Sequence, residues 1–273
     1  MLSFSDRLKS ESPLTGSWCT FASYASAEVM TCLGFDFLVL DMQHCELTQG
    51  DFPAVLGAFT SSGVTPVVRV PQNDYHIINW MMDQGVGAVL VPMVNSVAEA
   101  KRAVEAAKFP PLGKRSFGPY RAARYSFKAA EYMSEADHLA TLIIQIESEQ
   151  AVDEIDEILA VPGIDAVFVG PNDVAFSRLR PGESIAVPGG ADGGGGSGAD
   201  AAQQWTAFAR GPEVLALCDR VLASAQQAGI PFGMTAGTMA EAKQWHGKGA
   251  AFMTLGCDFL FMRSGAETMR AGG

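Results

Sequence analysis

The sequence has little of what builds a disulfide framework, a membrane span or a nucleic-acid interface. Its five cysteines are scattered and include no C-x-x-C pair, which argues against disulfides and against a structural zinc site. No segment approaches the roughly 18 uncharged apolar residues of a transmembrane helix. Only 19 lysines and arginines stand against 30 aspartates and glutamates, so the net charge of -11 disfavours nucleic acid and anionic lipid as partners. Charges occupy residues 1–10, where a signal peptide would be apolar, and we expect a cytoplasmic protein.

Hydrophobic residues, in contrast, make up 48% of the 273 residues, enough to bury the core of one large α/β domain. Short apolar runs alternate with segments of helical periodicity, as expected of strands buried on both faces. The predicted strands are Thr15–Phe21, Phe37–Leu40, Pro66–Val70, Gly87–Val91, Thr141–Ile146, Ala166–Val169, Pro231–Met234 and Ala251–Leu255. The clearest predicted helices are Ala25–Leu33, Ser96–Lys108, Glu149–Leu159 and Glu213–Ala228.

Eight strand–helix repeats predict a (β/α)8 TIM barrel, with its active site at the carboxyl ends of the strands. A doubly wound open sheet also alternates strands and helices, but no G-x-G-x-x-G turn follows the first strand. We therefore predict one barrel domain over residues 1–273. A glycine-rich excursion at about 178–210, containing Gly193–Gly198, is predicted to be flexible. The few residues in Arg263–Gly273 leave little for a full eighth helix.

Polar side chains follow several predicted strands, where a barrel places its chemistry. They are Asp41, His44, Arg69, Gln145, Glu147, Asn172 and Asp173. Two carboxylates on neighbouring strands, Glu147 and Asp173, would repel each other unless a cation lies between them, and oxygen ligands suit Mg²⁺ or Mn²⁺. Structural ion pairing, or capping of the following helices, is the alternative explanation.

The remaining candidates also have ordinary explanations. Arg69 could pair with Asp41 or Glu147, and His44 alone could be a partly buried structural histidine. The neighbouring His44 and Cys45 suggest a nucleophile and its base, but adjacent residues on an extended chain point in opposite directions.

The order and spacing of these motifs resemble the HpcH/HpaI aldolase family, which includes the macrophomate synthase branch. The resemblance extends from about Trp18 to Leu260 and rests on several segments. These are Trp18, Gly34–Asp36, Asp41–His44, Val68–Asp74, Val91–Val94, Phe109–Arg115, Gln145–Glu147 and Val169–Asp173. The family differs in having a glutamate where this chain has Gln43, and more often a small residue where it has Asn172.

The resemblance implies a phosphoenolpyruvate/pyruvate-type barrel that cleaves 4-hydroxy-2-oxo acids to pyruvate and an aldehyde. It implies that Glu147 and Asp173 bind a divalent cation (Mg²⁺, Mn²⁺ or Co²⁺). It further implies that His44 is the catalytic base and that Asp83 raises its basicity. Arg69 would stabilise the transition state. Gln145, Asn172 and Asp173 would contact substrate, in a homotrimer or hexamer.

Elementary chemistry agrees with these roles. A 2-oxo acid can chelate a divalent cation, and the cation then stabilises the enolate that forms when the C3–C4 bond breaks. No lysine lies at a strand end to form a Schiff base. Three alternatives remain open: oxaloacetate decarboxylation or macrophomate-synthase-like enolate chemistry, a citrate lyase β-like enzyme, and a non-catalytic barrel.

Overall fold

The computed structural model describes residues 2–11, 13–180 and 208–272, which form a closed barrel of eight parallel strands. The strands are β1 (Leu14–Cys19), β2 (Phe37–Asp41), β3 (Thr65–Arg69), β4 (Ala88–Val91), β5 (Thr141–Ile146), β6 (Ala166–Val169), β7 (Phe232–Ala236) and β8 (Phe252–Cys257). Each strand pairs with the next, and β8 returns to β1. The predicted barrel is therefore confirmed, and the open sheet is excluded.

Helices surround the barrel and connect its strands. They are α1 (Phe4–Ser10), α2 (Tyr24–Thr31), α3 (Phe52–Gly57), α4 (Tyr75–Gln84), α5 (Val97–Ala107), α6 (Ala129–Leu139), α7 (Glu149–Asp153), α8 (Ile155–Leu159), α9 (Pro171–Ser177), α10 (Pro212–Ala228), α11 (Met239–Gly247) and α12 (Asp258–Arg270). The predicted helix over Glu149–Leu159 is interrupted at Glu154 and becomes α7 and α8. Residues 181–207, most of the glycine-rich excursion, lie outside the described residues.

The prediction of little room for an eighth helix is wrong. Helix α12 is 13 residues long because it begins at Asp258, immediately after β8, and uses residues assigned to no element from the sequence. The buried Asp258 carboxylate accepts hydrogen bonds from the backbone N–H groups of Thr20 and Phe21. These contacts join the start of α12 to the segment that follows β1.

Alternate strand residues face the inside of the barrel and form an apolar layer at its amino end. This layer comprises Leu14, Phe37, Val39, Val67, Ala88, Leu90, Ile143, Ala166, Phe168, Ala251 and Phe252, with Phe4 and Leu8 of α1 packed against it. The side chains between them, such as Leu38 and Val68, pack outward under the helices. Apolar side chains of the described residues thus fill the amino end of the barrel, and the polar strand-end residues lie at its carboxyl end.

None of the described helices combines the length and apolar composition that crossing a bilayer requires.

Helix starts follow the expected capping chemistry. The Ser96 hydroxyl accepts a hydrogen bond from the Glu99 N–H, as predicted for a capping box. The Glu99 carboxylate, however, accepts from the N–H of Asn95 rather than from that of Ser96.

Candidate active site

The inward-facing rows of the barrel change from apolar to polar at its carboxyl end. Asp41 continues the row of Phe37 and Val39, and Arg69 continues the row begun by Val67. In the same way Gln145 follows Ile143, and Glu147 comes two residues later. Because side chains on a strand alternate between faces, the sequence spacing itself directs these groups into the mouth of the barrel.

Arg69 and Asp41 are register partners on β3 and β2 and form a bidentate ion pair. Arg69 Nε donates to Asp41 Oδ1 at 2.9 Å, and Arg69 Nη2 donates to Oδ2 at 2.6 Å. Burial by itself would raise the pKa of Asp41, but the hydrogen bonds and charge of Arg69 outweigh it, and the pKa is lowered. The guanidinium also lies 4.4 Å above the Trp18 ring, a cation–π contact.

Glu147 is buried at the end of β5, and none of the described residues forms an ion pair of this kind with it. Its Oε2 accepts from the backbone N–H of Met93 at 2.7 Å, and its Oε1 accepts from Gln145 Nε2 at 2.6 Å. Burial, followed by the negative charge of Asp173, raises the pKa of Glu147 from 4.5 to about 7. Glu147 and Asp173 therefore face each other, as the sequence predicts for carboxylates on neighbouring strands.

A glycine after β6 makes room for this cluster. A Cβ at Gly170 would lie 3.1 Å from Gln145 Nε2, 3.1 Å from Glu147 Oε1 and 3.2 Å from Asp173 Oδ2. Three polar atoms thus lie 3.1–3.2 Å from one point at the end of the barrel, and a Cβ at Gly170 would crowd all three.

The donor set fits a hard divalent cation. Two carboxylates of like charge supply oxygen atoms, and a cation between them would remove the repulsion that raises the Glu147 pKa. Within the described ranges, no group of three or more His, Cys, Asp or Glu side chains has metal-binding geometry. Water or substrate oxygens would therefore have to complete the coordination of an ion held by this pair.

A cavity of about 390 Å³ opens at the mouth of the barrel. Its lining includes Trp18, Thr20, Asp41, Arg69, Asn172, Ala209, Arg210, Thr235, Ala236, Gly237, Gly256, Cys257 and Leu260. Of the polar residues singled out from the sequence, Asp41, Arg69 and Asn172 line it directly. Glu147 and Asp173 are not among the lining residues. The charge of Arg69 lowers the Glu147 pKa, but burial and Asp173 outweigh it.

His44 lies in the turn after β2, on the same end of the barrel as the carboxylates. Its side chain is exposed, and its backbone N–H points to Asp41 Oδ1 at 3.4 Å. The neighbouring Cys45 donates its thiol to Asp41 Oδ2, and burial with the Asp41 charge raises the Cys45 pKa to about 12. A thiol with that pKa stays protonated, which argues against the Cys/His nucleophile on chemical grounds.

Asp83 does not reach His44 within the chain. It lies in the last turn of α4, which runs from the carboxyl end of β3 back toward the amino end of β4. There it accepts from Arg115 Nη2 at 2.7 Å and from Asn79 Nδ2 at 3.0 Å. No hydrogen bond or ion pair joins Asp83 to His44 in the part of the chain that the structure describes.

Sequence reasoning missed three parts of the site. The Met93 N–H, which holds Glu147, belongs to a residue with a positive φ of 55°, a conformation that composition does not reveal. Trp18, which the sequence marks only as part of the family resemblance, lies under the Arg69 guanidinium. Arg210 was assigned to the end of the glycine-rich excursion, although it lines the cavity.

Comparison with known proteins agrees with this geometry. The sequence model of the family described as "HpcH/HpaI aldolase/citrate lyase" matches residues 14–180. The chain belongs to the HpcH/HpaI aldolase/citrate lyase family. The family resemblance drawn from the motifs is thereby confirmed.

Relatives within the HpcH/HpaI family match almost the entire chain. A hydroxypyruvate/pyruvate aldolase of Paraburkholderia phytofirmans is 32% identical over 94% of this chain and 91% of its own. A 5-keto-4-deoxy-D-glucarate aldolase of Citrobacter koseri is 32% identical over 93% and 89%. The crystal structure of an HpcH/HpaI aldolase/citrate lyase family protein from Burkholderia cenocepacia J2315 superimposes with a TM-score of 0.82 and 29% identity, covering 98% and 97%. The chain is accordingly an enzyme of an aldolase family, and a non-catalytic barrel is disfavoured.

Proposed function

We propose that the chain is a divalent-metal-dependent aldolase that cleaves and forms 4-hydroxy-2-oxo acids. The observation that carries the proposal is the buried Glu147–Asp173 pair, in which burial and then the negative charge of Asp173 raise the Glu147 pKa to about 7. Two buried carboxylates side by side cost free energy unless a cation lies between them. The family relatives named as aldolases support the same reaction class.

Glu147 and Asp173 would hold the cation, Mg²⁺, Mn²⁺ or Co²⁺. When bound, the cation would supply Lewis acidity to the ketone of a 2-oxo acid. The chain itself contributes the rigidity of the site: the Met93 N–H and Gln145 Nε2 fix both Glu147 oxygens. Gln145 and Asn172 are proposed to contact substrate, and Asn172 lines the cavity.

Arg69 is proposed to stabilise the charge that develops on the ketone oxygen as the C3–C4 bond breaks. Its Nε and Nη2 are bound to Asp41, so the guanidinium cannot swing away. Nη1 makes no hydrogen bond within the described residues, and Arg69 lines the cavity. A fixed donor aimed at a developing negative charge typically accounts for several kcal/mol of transition-state stabilisation.

His44 is proposed to take the proton from the 4-hydroxyl during cleavage and to return it during synthesis. Its place after β2 puts it at the correct end of the barrel, beside the Asp41–Arg69 pair. No contact between Asp83 and His44 forms among the described residues of one chain. Asp83, in the last turn of α4, instead forms an ion pair with Arg115. A contact between Asp83 and His44 would have to come from a second copy.

A homo-oligomer, trimer or hexamer, is part of the proposal. Helix α12 buries only Asp258 within the chain and exposes Phe259, Met262 and Met269. Exposed apolar side chains on one helix are characteristic of a protein–protein interface. Sedimentation velocity measures the assembly directly, and a monomer at micromolar concentration would contradict this part.

Isothermal titration tests the proposed metal site. Metal-stripped protein is titrated with pyruvate or oxalate, with and without Mg²⁺ or Mn²⁺. We expect binding only in the presence of the cation, and none by Glu147→Gln under either condition. His44→Ala should bind pyruvate like the wild type while losing carbon–carbon cleavage. Equally tight binding with and without the cation would contradict the metal assignment.

A further inference from the structure

Arg210 is a second cation in the cavity, on the side opposite Arg69. Arg69 comes from β3, whereas Arg210 precedes α10 and contacts the carboxyl ends of β6 and β7. Its side chain is 15% exposed, so it is largely desolvated without being closed off. Arg210 has no role in the proposed cleavage of the C3–C4 bond.

The surroundings hold the Arg210 guanidinium in one orientation. Nε donates to Glu241 Oε1 at 2.9 Å, and Nη2 donates to the Thr235 carbonyl at 3.0 Å. Glu241 is itself fixed, because its Oε2 accepts from the Gly237 N–H at 2.6 Å. A guanidinium held in this way loses little conformational entropy when it binds a ligand.

One nitrogen of Arg210 is left with weak contacts only. Nη1 lies 3.3 Å from the Ala209 carbonyl and 3.4 Å from Asn172 Oδ1, both long for a charged donor. Asn172 lines the cavity, as do Arg210 itself and Arg69, the residue proposed to act on the ketone oxygen. The open donor and the proposed reaction centre therefore share one cavity.

We propose that Arg210 binds an anionic group, a carboxylate, at the end of the substrate remote from the 2-oxo acid. A guanidinium offers donors and no acceptor, so it selects oxygens that carry negative charge. With pyruvate oriented by Arg69, the aldehyde fragment would extend toward β7 and bring its far end to Arg210. This inference rests on the proposed aldolase function and specifies the class of aldehyde: one that carries a carboxylate.

A purely structural role for Arg210 leads to different expectations. Its contacts with Glu241 and Thr235 could serve only to tie the residues before α10 to the end of β7. Loss of these structural contacts would lower kcat/KM for all substrates alike or lower the thermal stability. A binding role instead affects the charged aldehyde alone, so two aldehydes that differ only in charge separate the explanations.

The experiment measures kcat/KM for condensation of pyruvate with two carboxylate aldehydes, glyoxylate and 4-oxobutanoate. Each is compared with a neutral aldehyde of equal length, glycolaldehyde and butanal respectively. For Arg210→Met we expect kcat/KM to fall about 30- to 100-fold with a carboxylate aldehyde, and less than about 3-fold with its neutral partner. Arg210→Lys, which keeps the charge and loses the fork, should lie between wild type and Arg210→Met. Arg220→Met, which removes an arginine paired with Asp153 at the surface, is the matched control.

A second readout keeps the two proposals separate. Exchange of the pyruvate methyl protons with D₂O in the presence of Mg²⁺ needs no aldehyde, and Arg210→Met should leave its rate unchanged. Normal exchange with equal losses for charged and neutral aldehydes, or with no loss for either, would overturn the role of Arg210 alone. Absence of exchange in the wild type would overturn the proposed aldolase function and, with it, this inference.

Discussion

Two buried carboxylates at the mouth of the barrel, Asp41 and Glu147, have pKa values that move in opposite directions. Both follow inward-facing rows of strand residues, and burial raises the pKa of each. Asp41 meets the Arg69 guanidinium, and its pKa is lowered. Glu147 meets Asp173, and its pKa rises to about 7. Because burial raises the pKa of both carboxylates, the charge of the neighbouring side chain decides whether the pKa ends below or above its ordinary value.

The register of the barrel creates this difference. Asp41 and Arg69 are paired residues on adjacent strands, so the sheet itself brings opposite charges together. Glu147 lies one residue past β5, and Asp173 lies in the first turn of α9 after β6. There the chain brings like charges together around Gly170. One pair is complete within the chain, and the other is proposed to be completed by a cation.

Removing a charge from the incomplete pair should have the largest effect. We expect Glu147→Gln or Asp173→Asn to reduce metal-dependent aldol cleavage by roughly 1000-fold or more, because neither amide can replace an anionic ligand. Steady-state kinetics with saturating Mn²⁺ measure the loss. Glu105→Gln, at a surface pair with Lys114, is the control and should retain full activity. Full activity in either site variant would contradict the assignment of the metal ligands.

Breaking the complete pair should lower stability in addition to removing the proposed catalytic role of Arg69. Arg69→Met leaves Asp41 buried without its cation, and loss of one partner of a buried pair typically costs about 3–5 kcal/mol of unfolding free energy. Urea denaturation of metal-free protein at pH 7 measures it. Arg102→Met, which breaks an exposed pair with Glu99, should cost less than about 1 kcal/mol. The double variant Arg69→Met/Asp41→Asn should recover part of the lost unfolding free energy. Equal destabilisation by Arg69→Met and Arg102→Met would contradict this account.

The sequence was sufficient to predict the barrel and the residues at its mouth. Buried parallel strands give continuous apolar runs, and the run at Ala166–Val169 matches β6 residue for residue. The polar residues that interrupt the pattern, such as Arg69 and Glu147, were recognisable because charge at the end of an apolar strand is costly. Periodicity and cost of burial are local properties, and both can be recognised without coordinates.

Partnership between distant residues could not be predicted in the same way. Arg210 donates to the Thr235 carbonyl and Arg115 pairs with Asp83, contacts that depend on where the chain returns in space. The family resemblance implies a role for Asp83 beside His44, but the sequence does not show that Arg115 pairs with Asp83 within the chain. The length of α12 was also missed, because a helix that starts directly after β8 leaves no loop to mark its beginning.

The smallest predicted effect is the pH dependence of stability in metal-free protein, and it separates the two carboxylates. The folded-state pKa of Glu147 is raised from 4.5 to about 7, so between these pH values the folded state binds more protons than the unfolded chain. The unfolding free energy should therefore fall as pH rises through this window, by on the order of 2 kcal/mol.

Asp41, whose folded-state pKa is lowered, loses its contribution only as pH falls below about 4. Urea denaturation at pH 5 and pH 8 measures the slope, and Glu147→Gln should remove it while becoming more stable than wild type at pH 8. Saturating Mg²⁺ should reverse the slope in wild type alone, because the cation binds the deprotonated pair and stabilises the folded state more as pH rises. An identical slope in wild type and Glu147→Gln would contradict the raised pKa of Glu147 in the folded state.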